Sequence, residues 1–314
     1  MPRAVPAFSV PLALTVLAWG FNFVVLKLLY VQLSPAAVGL VRWALMLGGL
    51  YVVCRLLRLP SRVRREDVPL VLLQGCLSLG IYMVLFLEGM ARTTPGEAAI
   101  VLATSPIFTA LFAAMVRQER LSLAVIAWAL VAFAGVSLVA LGGANGLQGR
   151  ILGDALILAS SVVWAVSTVV SKPLVGRIPP LTMLTASMWG AAPVLLVYGL
   201  FPVLDTPWQE LTPATWSLMA YVVLAAGVLG FVGFYLGVQQ IGATGAMLYQ
   251  YCVSPLAVLF AWVTLGNSLS PLQLLGLAVV LAGVAMGNRA RVRAAERGLP
   301  KAGDVSVPAE SPCP

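Results

Sequence analysis

The amino-acid sequence predicts an all-α integral membrane protein of ten transmembrane helices, arranged as two inverted five-helix repeats. Three observations carry that expectation: long apolar stretches, basic residues crowded into alternate intervals between them, and motifs that recur 145–149 residues later. The chain of 314 residues is 61% hydrophobic and only 10% charged, with a mean hydropathy of +0.98. A soluble domain carries about 25% charged residues. Folded chains of this size still expose much of their surface, so most of this one must face lipid.

A membrane helix needs ~20 mostly apolar residues. Cutting at charge clusters and Pro/Gly breaks places spans at about 8–31, 36–57, 68–90, 96–117, 121–142, 153–172, 180–202, 215–238, 244–265 and 270–288. Only "QQIGATG" separates the eighth span from the ninth, and Gly242, Thr244 and Gly245 suit a tight turn there. The first span has no small-residue cleavage site followed by a polar chain, so it reads as a retained helix.

Lys and Arg in short loops mark the cytoplasmic side. With the N-terminus inside, 15 of the 19 basic residues fall on that side, Arg92 and Arg150 fall outside, and Lys27 and Arg42 stay within spans. The longest outer loop, "FPVLDTPWQELTP", holds Asp205 and Glu210 and no base. Both termini are therefore expected in the cytoplasm, with the chain in the cytoplasmic membrane. The basic tail at 289–314 is rich in Pro, Gly and small polar residues towards its end and is expected to be disordered. It either contacts anionic lipid or simply follows the charge rule.

"WGFNFVVLK" from Trp19 and "WAVSTVVSK" from Trp164 share a Trp and a Lys at one spacing, and the same offset carries Pro35 onto Pro180. "SPIFTALFA" from Ser105 matches "SPLAVLFAW" from Ser254, and "AGVSL" from Ala134 matches "AGVAM" from Ala282. These matches keep their order, which divides the chain into residues 8–142 and 153–288. Five spans per half is an odd number, so the halves enter the membrane from opposite faces. Secondary transporters are commonly built this way, with a site near the midplane.

"WGFNFVVLK…SPAAVGLVRW", "ARTTPGEAAIVLATSPIFTALFAAMVRQERLS" and "SPLQLLGLAVVLAGVAM" together resemble the EamA family of the drug/metabolite transporter superfamily, over residues ~10 to 288. The resemblance implies a 5+5 inverted fold and movement of small metabolites, such as amino acids, nucleosides or drugs, by alternating access. The chain departs from the family pattern at Asn267, where Glu is usual, and at Arg117 and Gln118, where an apolar residue and Gly are usual.

Other classes are disfavoured by what the chain lacks. It has no histidine, which removes the commonest general base and metal ligand. Its four cysteines show no paired spacing, so neither a metal site nor a disulfide framework is expected. No enzymatic activity, cofactor or nucleic-acid partner is expected, and no nucleotide-binding motif suggests ATP drive. The leading reading is a secondary transporter of small organic metabolites, working as exporter, monomeric or homodimeric, with membrane lipid around it. The alternative is a scaffold or channel-like protein, although no repeated polar filter segment is visible.

Polar residues inside spans mark the candidate site. Pro106 and Pro255 interrupt the fourth and ninth spans near mid-depth, and each frees a carbonyl four residues back. Thr104 and Ser105 surround the first; Tyr249, Gln250 and Ser254 surround the second. They are candidate hinges, with the alternative that Ser and Thr merely bond the freed carbonyls. Trp19, Asn22, Tyr82, Trp164, Ser167 and Tyr235 are further substrate-binding candidates. Successive helical residues differ by about 100°, so Tyr249 or Gln250 is expected to line a cavity while the others pack on neighbours. Lys27 and Lys172 either snorkel to the headgroups or, for Lys27, join a charge cluster. Arg42 is deeper, and Glu88 at similar depth is expected to pair with Arg42 or Lys27, as a fixed bridge or an outer gate. Glu97 and Asp154 read as acids at helix N-termini.

Overall fold

In a computed structural model the protein is described over residues 8–56, 58, 63–93, 98, 101–118, 123–141, 151–265 and 270–298. Among these the regular structure is entirely helical: α1 (Val10–Leu29), α2 (Pro35–Leu56), α3 (Val68–Arg92), α4 (Ser105–Met115), α5 (Leu123–Leu141), α6 (Ile151–Val175), α7 (Pro180–Leu204), α8 (Pro213–Ala243), α9 (Gly245–Thr264) and α10 (Pro271–Gly298). By length and composition, α1, α2, α3, α6, α7, α8 and α9 are able to cross a membrane, and α4, α5 and α10 are shorter apolar helices over their described parts.

The helix starts follow local chemistry. Proline in the first turn opens α2, α7, α8 and α10, where its missing N–H would have had no partner anyway. Thr212 caps α8 by accepting from the Thr215 N–H. At α10 the Ser270 N–H donates to Gln273 Oε1 and the Gln273 N–H to Ser270 Oγ, a reciprocal capping box. Gly242 has φ 78°, which turns the chain between α8 and α9 where the sequence suggests a turn. Arg117 ends α4 in the left-handed region at φ 56°, and the Gln118 N–H returns to Ala113 O. That is the closing pattern in which Gly is usual. Asn267 lies outside the described residues.

Packing exchanges partners between the two halves of the chain. α2 lies along α7 and α5 along α10, while α1 packs on α8 and α9 and α6 packs on α3 and α4. The tightest crossing joins α3 to α7. A Cβ added at Gly75 would sit 1.8 Å from Ser187 O, and one at Gly190 would sit 2.0 Å from Leu72 O. Small residues let membrane helices approach in this way, because helices in lipid gain little from the hydrophobic effect and associate largely through packing. Outward faces stay apolar, as at Trp189, Val197 and Phe201 of α7.

Four helices depart from regularity. α3 carries a π-helical stretch at Cys76–Ile81 and α8 one at Val222–Leu229. Turn geometry at Ala103–Thr104 precedes α4, and the same geometry interrupts α9 at Tyr251–Cys252. The expectation of disorder after Asn288 needs correction for its first part, since α10 continues to Gly298. "RARVRAAER" is rich in Ala, Arg and Glu, which propagate a helix well. Residues 299–314 lie outside the described part.

Gly75→Ala should lower the melting temperature of the detergent-solubilised protein by roughly 2–10 °C, because overpacking a tight contact costs about 1–3 kcal/mol. Gly48→Ala should leave it almost unchanged, since no atom lies within 4 Å of the added Cβ. Thermal unfolding followed by size-exclusion chromatography distinguishes the two variants.

Candidate functional site

A cavity of about 60 Å³ lies where the irregular helices converge. α1 contributes Trp19, Asn22 and Phe23; α2 contributes Arg42; α3 contributes Tyr82, Met83 and Phe86. Leu102, Ala103 and Pro106 come from the break before α4, and Gln250, Val253 and Ser254 from the break in α9. Trp164 of α6 and Phe231 of α8 complete the lining. One water needs ~10–15 Å³ of such space, so the cavity holds a few waters and must widen to admit a larger solute.

Its walls are aromatic and interlocked. The Trp19 and Trp164 rings meet edge to face, with centroids 5.7 Å apart. Tyr82 lies 4.9 Å from Trp164, and Phe231 touches both tryptophans. Each indole N–H has a partner: Trp19 Nε1 donates to Ala226 O (2.9 Å), a carbonyl of the α8 π-stretch, and Trp164 Nε1 donates to Gln250 Oε1 (3.2 Å). These bonds fix the rings as rigid walls.

The two broken helices are satisfied differently. Ahead of α4, Ser105 Oγ donates to Leu102 O (2.7 Å), the carbonyl that Pro106 frees, and Thr104 Oγ1 donates to Val101 O (2.6 Å). Thr104 and Ser105 thus complete the backbone and do not line the cavity. At α9 the corresponding serine, Ser254, lines it. Pro106 also reaches the lining, whereas Pro255 is buried outside it.

The other candidates lie around the cavity. Ser167 Oγ donates back to Trp164 O (2.8 Å). Tyr249 points away, its hydroxyl accepting from the Ser9 N–H (2.9 Å), and Tyr251 packs with α5 and α10 residues. Tyr235 belongs to a buried polar cluster one turn from the cavity. Gln74 Nε2 donates to Tyr235 Oη (2.6 Å) and Ser78 Oγ (2.8 Å), and Ser187 Oγ donates to Gln74 Oε1 (2.6 Å). This cluster ties α3, α7 and α8 together, on the part of α3 that leads from the cavity towards Asp67, which is buried and pairs with Arg177 (3.1 Å).

The charged residues resolve differently from expectation. Glu88 pairs neither with Arg42 nor with Lys27: its carboxylate takes Arg92 and accepts from Tyr198 Oη (2.5 Å). α3 runs on through Arg92, so Glu88 and Arg92 sit one turn apart on the same face. Lys27 Nζ donates to Met90 O (3.1 Å) near the end of α3, and Lys172 Nζ to Gln118 O (3.0 Å) just beyond α4. Both ammonium groups reach carbonyls at helix C-termini, where the dipole favours a cation. Asp154 sits in the first turn of α6 and accepts from Thr93 Oγ1; Glu97 lies outside the described residues. Among the described residues no three His, Cys, Asp or Glu side chains converge as metal ligands would.

Phe23, Met83, Phe86, Leu102, Ala103, Phe231 and Val253 are cavity residues that sequence reasoning missed. Nothing distinguishes an apolar residue facing a cavity from one facing lipid in a uniformly apolar span. The one usable signal was proximity to a polar candidate: Phe23 follows Asn22, and Met83 and Phe86 lie within about a turn of Tyr82.

Two sets of helices meeting at an aromatic cavity, within a chain mostly able to span lipid, define a multi-pass membrane protein with a small central cavity. Residues 9–141 and 151–289 each match the model of the EamA-like transporter family, and the chain belongs to that family. It is 30% identical over 286 residues to a "probable terminal-alkyne amino-acid exporter" of Streptantibioticus cattleyicolor, covering 88% of this chain and 92% of that protein. It is 29% identical over 284 residues to a "probable amino-acid metabolite efflux pump" of Salmonella typhimurium, covering 86% and 91%. A protein of known crystal structure superposes with a TM-score of 0.74 at 20% identity, over 91% of this chain and 98% of that one, which shows a shared fold. The family's members are named as transporters or exporters rather than enzymes.

Cysteine placed at Gln250 or Ser254, in a background with Cys54, Cys76, Cys252 and Cys313 replaced, should react with a water-borne thiol reagent. Cysteine at Tyr249 should react at least ~10-fold more slowly, as a side chain held against Ser9 away from the cavity. Equal rates at Tyr249 and Ser254 would contradict the placement of the lining.

Proposed function

We propose that the protein is a secondary exporter of small organic metabolites of the amino-acid class, moving them across the cytoplasmic membrane by alternating access. The proposal includes ten membrane crossings, with residues 8–142 and 153–288 as inverted five-helix repeats and both termini in the cytoplasm. The observation that carries it is the pairing of broken helices: breaks at repeat-related positions before α4 and within α9 flank one aromatic cavity. Broken helices at matching positions are the best structural pointer to a transporter site. The exchange of packing partners between halves, α1 with α8 and α9 and α6 with α3 and α4, is what a two-fold axis in the membrane plane would generate. The two relatives named as amino-acid exporters support the substrate class and direction.

The site chemistry fits that class. Aromatic walls with a few hydrogen-bonding groups suit a small amphipathic solute better than a bare ion. The cavity is small and must widen to admit a solute, and in this reading the Gln74–Tyr235–Ser187 cluster, one turn away, serves as the cytoplasmic closure. Movement of one half against the other would break that cluster and open the cavity inward.

Proteoliposomes reconstituted with the full chain and preloaded with unlabelled amino acids should accumulate labelled amino acid by counterflow that saturates with concentration. Flux that rises linearly without saturation would favour a channel, and no flux above protein-free vesicles would favour a scaffold. For topology, Trp208→Cys in a cysteine-free background should be labelled by an impermeant reagent in intact cells, and Arg64→Cys only after permeabilisation. The opposite pattern would overturn the proposed orientation.

A further inference from the structure

Among the described residues, Arg42 stands apart from the other charges inside the helical bundle. It lines the cavity, is only 4% exposed, and has no carboxylate within salt-bridge distance among the described residues. Its Nη1 makes a long contact to Met83 Sδ (3.7 Å), and its Nε has no partner. Glu88, the acid that could have neutralised it, is taken by Arg92 and Tyr198. Asn22 lines the same cavity at 6% exposure, and its Oδ1 is also without a partner.

Leaving a buried guanidinium uncompensated is strongly unfavourable, and intramembrane charges normally face a partner or a solute pathway. Here no acidic partner is found among the described residues, and the side chain faces a cavity. A planar guanidinium with a free Nε edge matches the two oxygens of a carboxylate. A single cation balances a single negative charge, which favours a carboxylate over a phosphate monoester, whose charge approaches −2 near neutral pH. Asn22 Oδ1 is an acceptor, so it suits a donor on the same solute, such as an ammonium or amino group.

We infer that Arg42 is the receptor for the carboxylate of the transported solute, with Asn22 accepting a hydrogen bond from a donor group on it and the Trp19, Tyr82 and Trp164 walls covering its apolar part. This rests on the carrier function proposed above and assigns the chemistry that the carrier selects. It also assigns Arg42 to the binding site rather than to a fixed bridge or gate.

The test uses the full chain in proteoliposomes loaded with three pools: the proteinogenic amino acids, their α-carboxamides, and phosphate monoesters such as phosphoethanolamine. Efflux is read by mass spectrometry against protein-free vesicles. The expected result is efflux of one or more amino acids with at least a ~30-fold preference over the matching carboxamide, the scale of a buried charge pair. Arg42→Gln should collapse that acid-to-amide ratio towards unity, and Arg42→Lys should keep part of it. A residue serving only to hold the fold would lower flux for both members of a pair and leave the ratio intact, which would overturn the assignment. Where Arg42→Gln does not yield folded protein by size exclusion, the wild-type ratio and Arg42→Lys decide. Carboxamides or phosphate esters leaving as fast as the acids would overturn the carboxylate assignment while the carrier reading stands. No efflux from any pool, together with no efflux of a fourth pool of cationic and neutral drugs, would overturn both; efflux of that fourth pool alone would overturn the carboxylate assignment and the amino-acid class while carrier function stands.

Discussion

Inside a bilayer every peptide N–H and C=O must find its partner within the protein, and the rest of this structure depends on that requirement. It makes the chain helical throughout its described residues, and it restricts irregular backbone to places where protein or a polar cavity can supply partners. The departures obey it. The breaks before α4 and within α9 and the π-stretches of α3 and α8 all belong to helices that line the cavity or adjoin its lining. Ser105 returns a hydrogen bond to the carbonyl that Pro106 releases, and Trp19 takes the carbonyl of Ala226 in the α8 π-stretch. Irregularity and cavity are thus two views of one arrangement.

The same demand sorts the charges. Lys27 and Lys172 end on helix C-terminal carbonyls, Glu88 is closed by Arg92 and Tyr198, and Asp67 by Arg177. Each pairs with a group the protein provides, and Asp67 does so through one of its two oxygens, Oδ2 having no partner. Arg42 and Asn22 are not compensated in this way, and both lie on the cavity. In a low-dielectric interior an unmet polar group is expensive, and in the proposed carrier the solute would meet that demand on each cycle.

Much of this was legible in the sequence, and for identifiable reasons. Hydropathy reports solvent, so the long helices were readable from composition alone. The recurrence of Trp19 in Trp164 and of Ser105-Pro106 in Ser254-Pro255 pointed to residues that the structure brings to one cavity or its edge. Pairing was less legible. Glu88 was matched to Arg42 by depth, but depth gives no azimuth, and a helix that continues through Arg92 supplies a nearer cation on its own face. Hydroxyl roles were equally hidden: Ser105 and Ser254 occupy equivalent sequence positions, yet one bonds backbone and the other lines the cavity. The π-stretches at Cys76–Ile81 and Val222–Leu229 left no residue pattern of their own. The helical extension of α10 to Gly298 was hidden by the polar composition that follows it.

Alternating access around the cavity is tested most directly by locking the α3–α7 crossing, proposed above as its cytoplasmic closure. Ser187 Oγ and Gln74 Oε1 lie 2.6 Å apart where α3 and α7 cross most tightly. Gln74→Cys paired with Ser187→Cys, in a background free of native cysteines, brings two thiols to that crossing. Oxidation to the disulfide should abolish counterflow exchange in proteoliposomes, and reduction should restore it. Exchange that continues undiminished in fully cross-linked protein would contradict a cycle in which these helices separate to open the site inward.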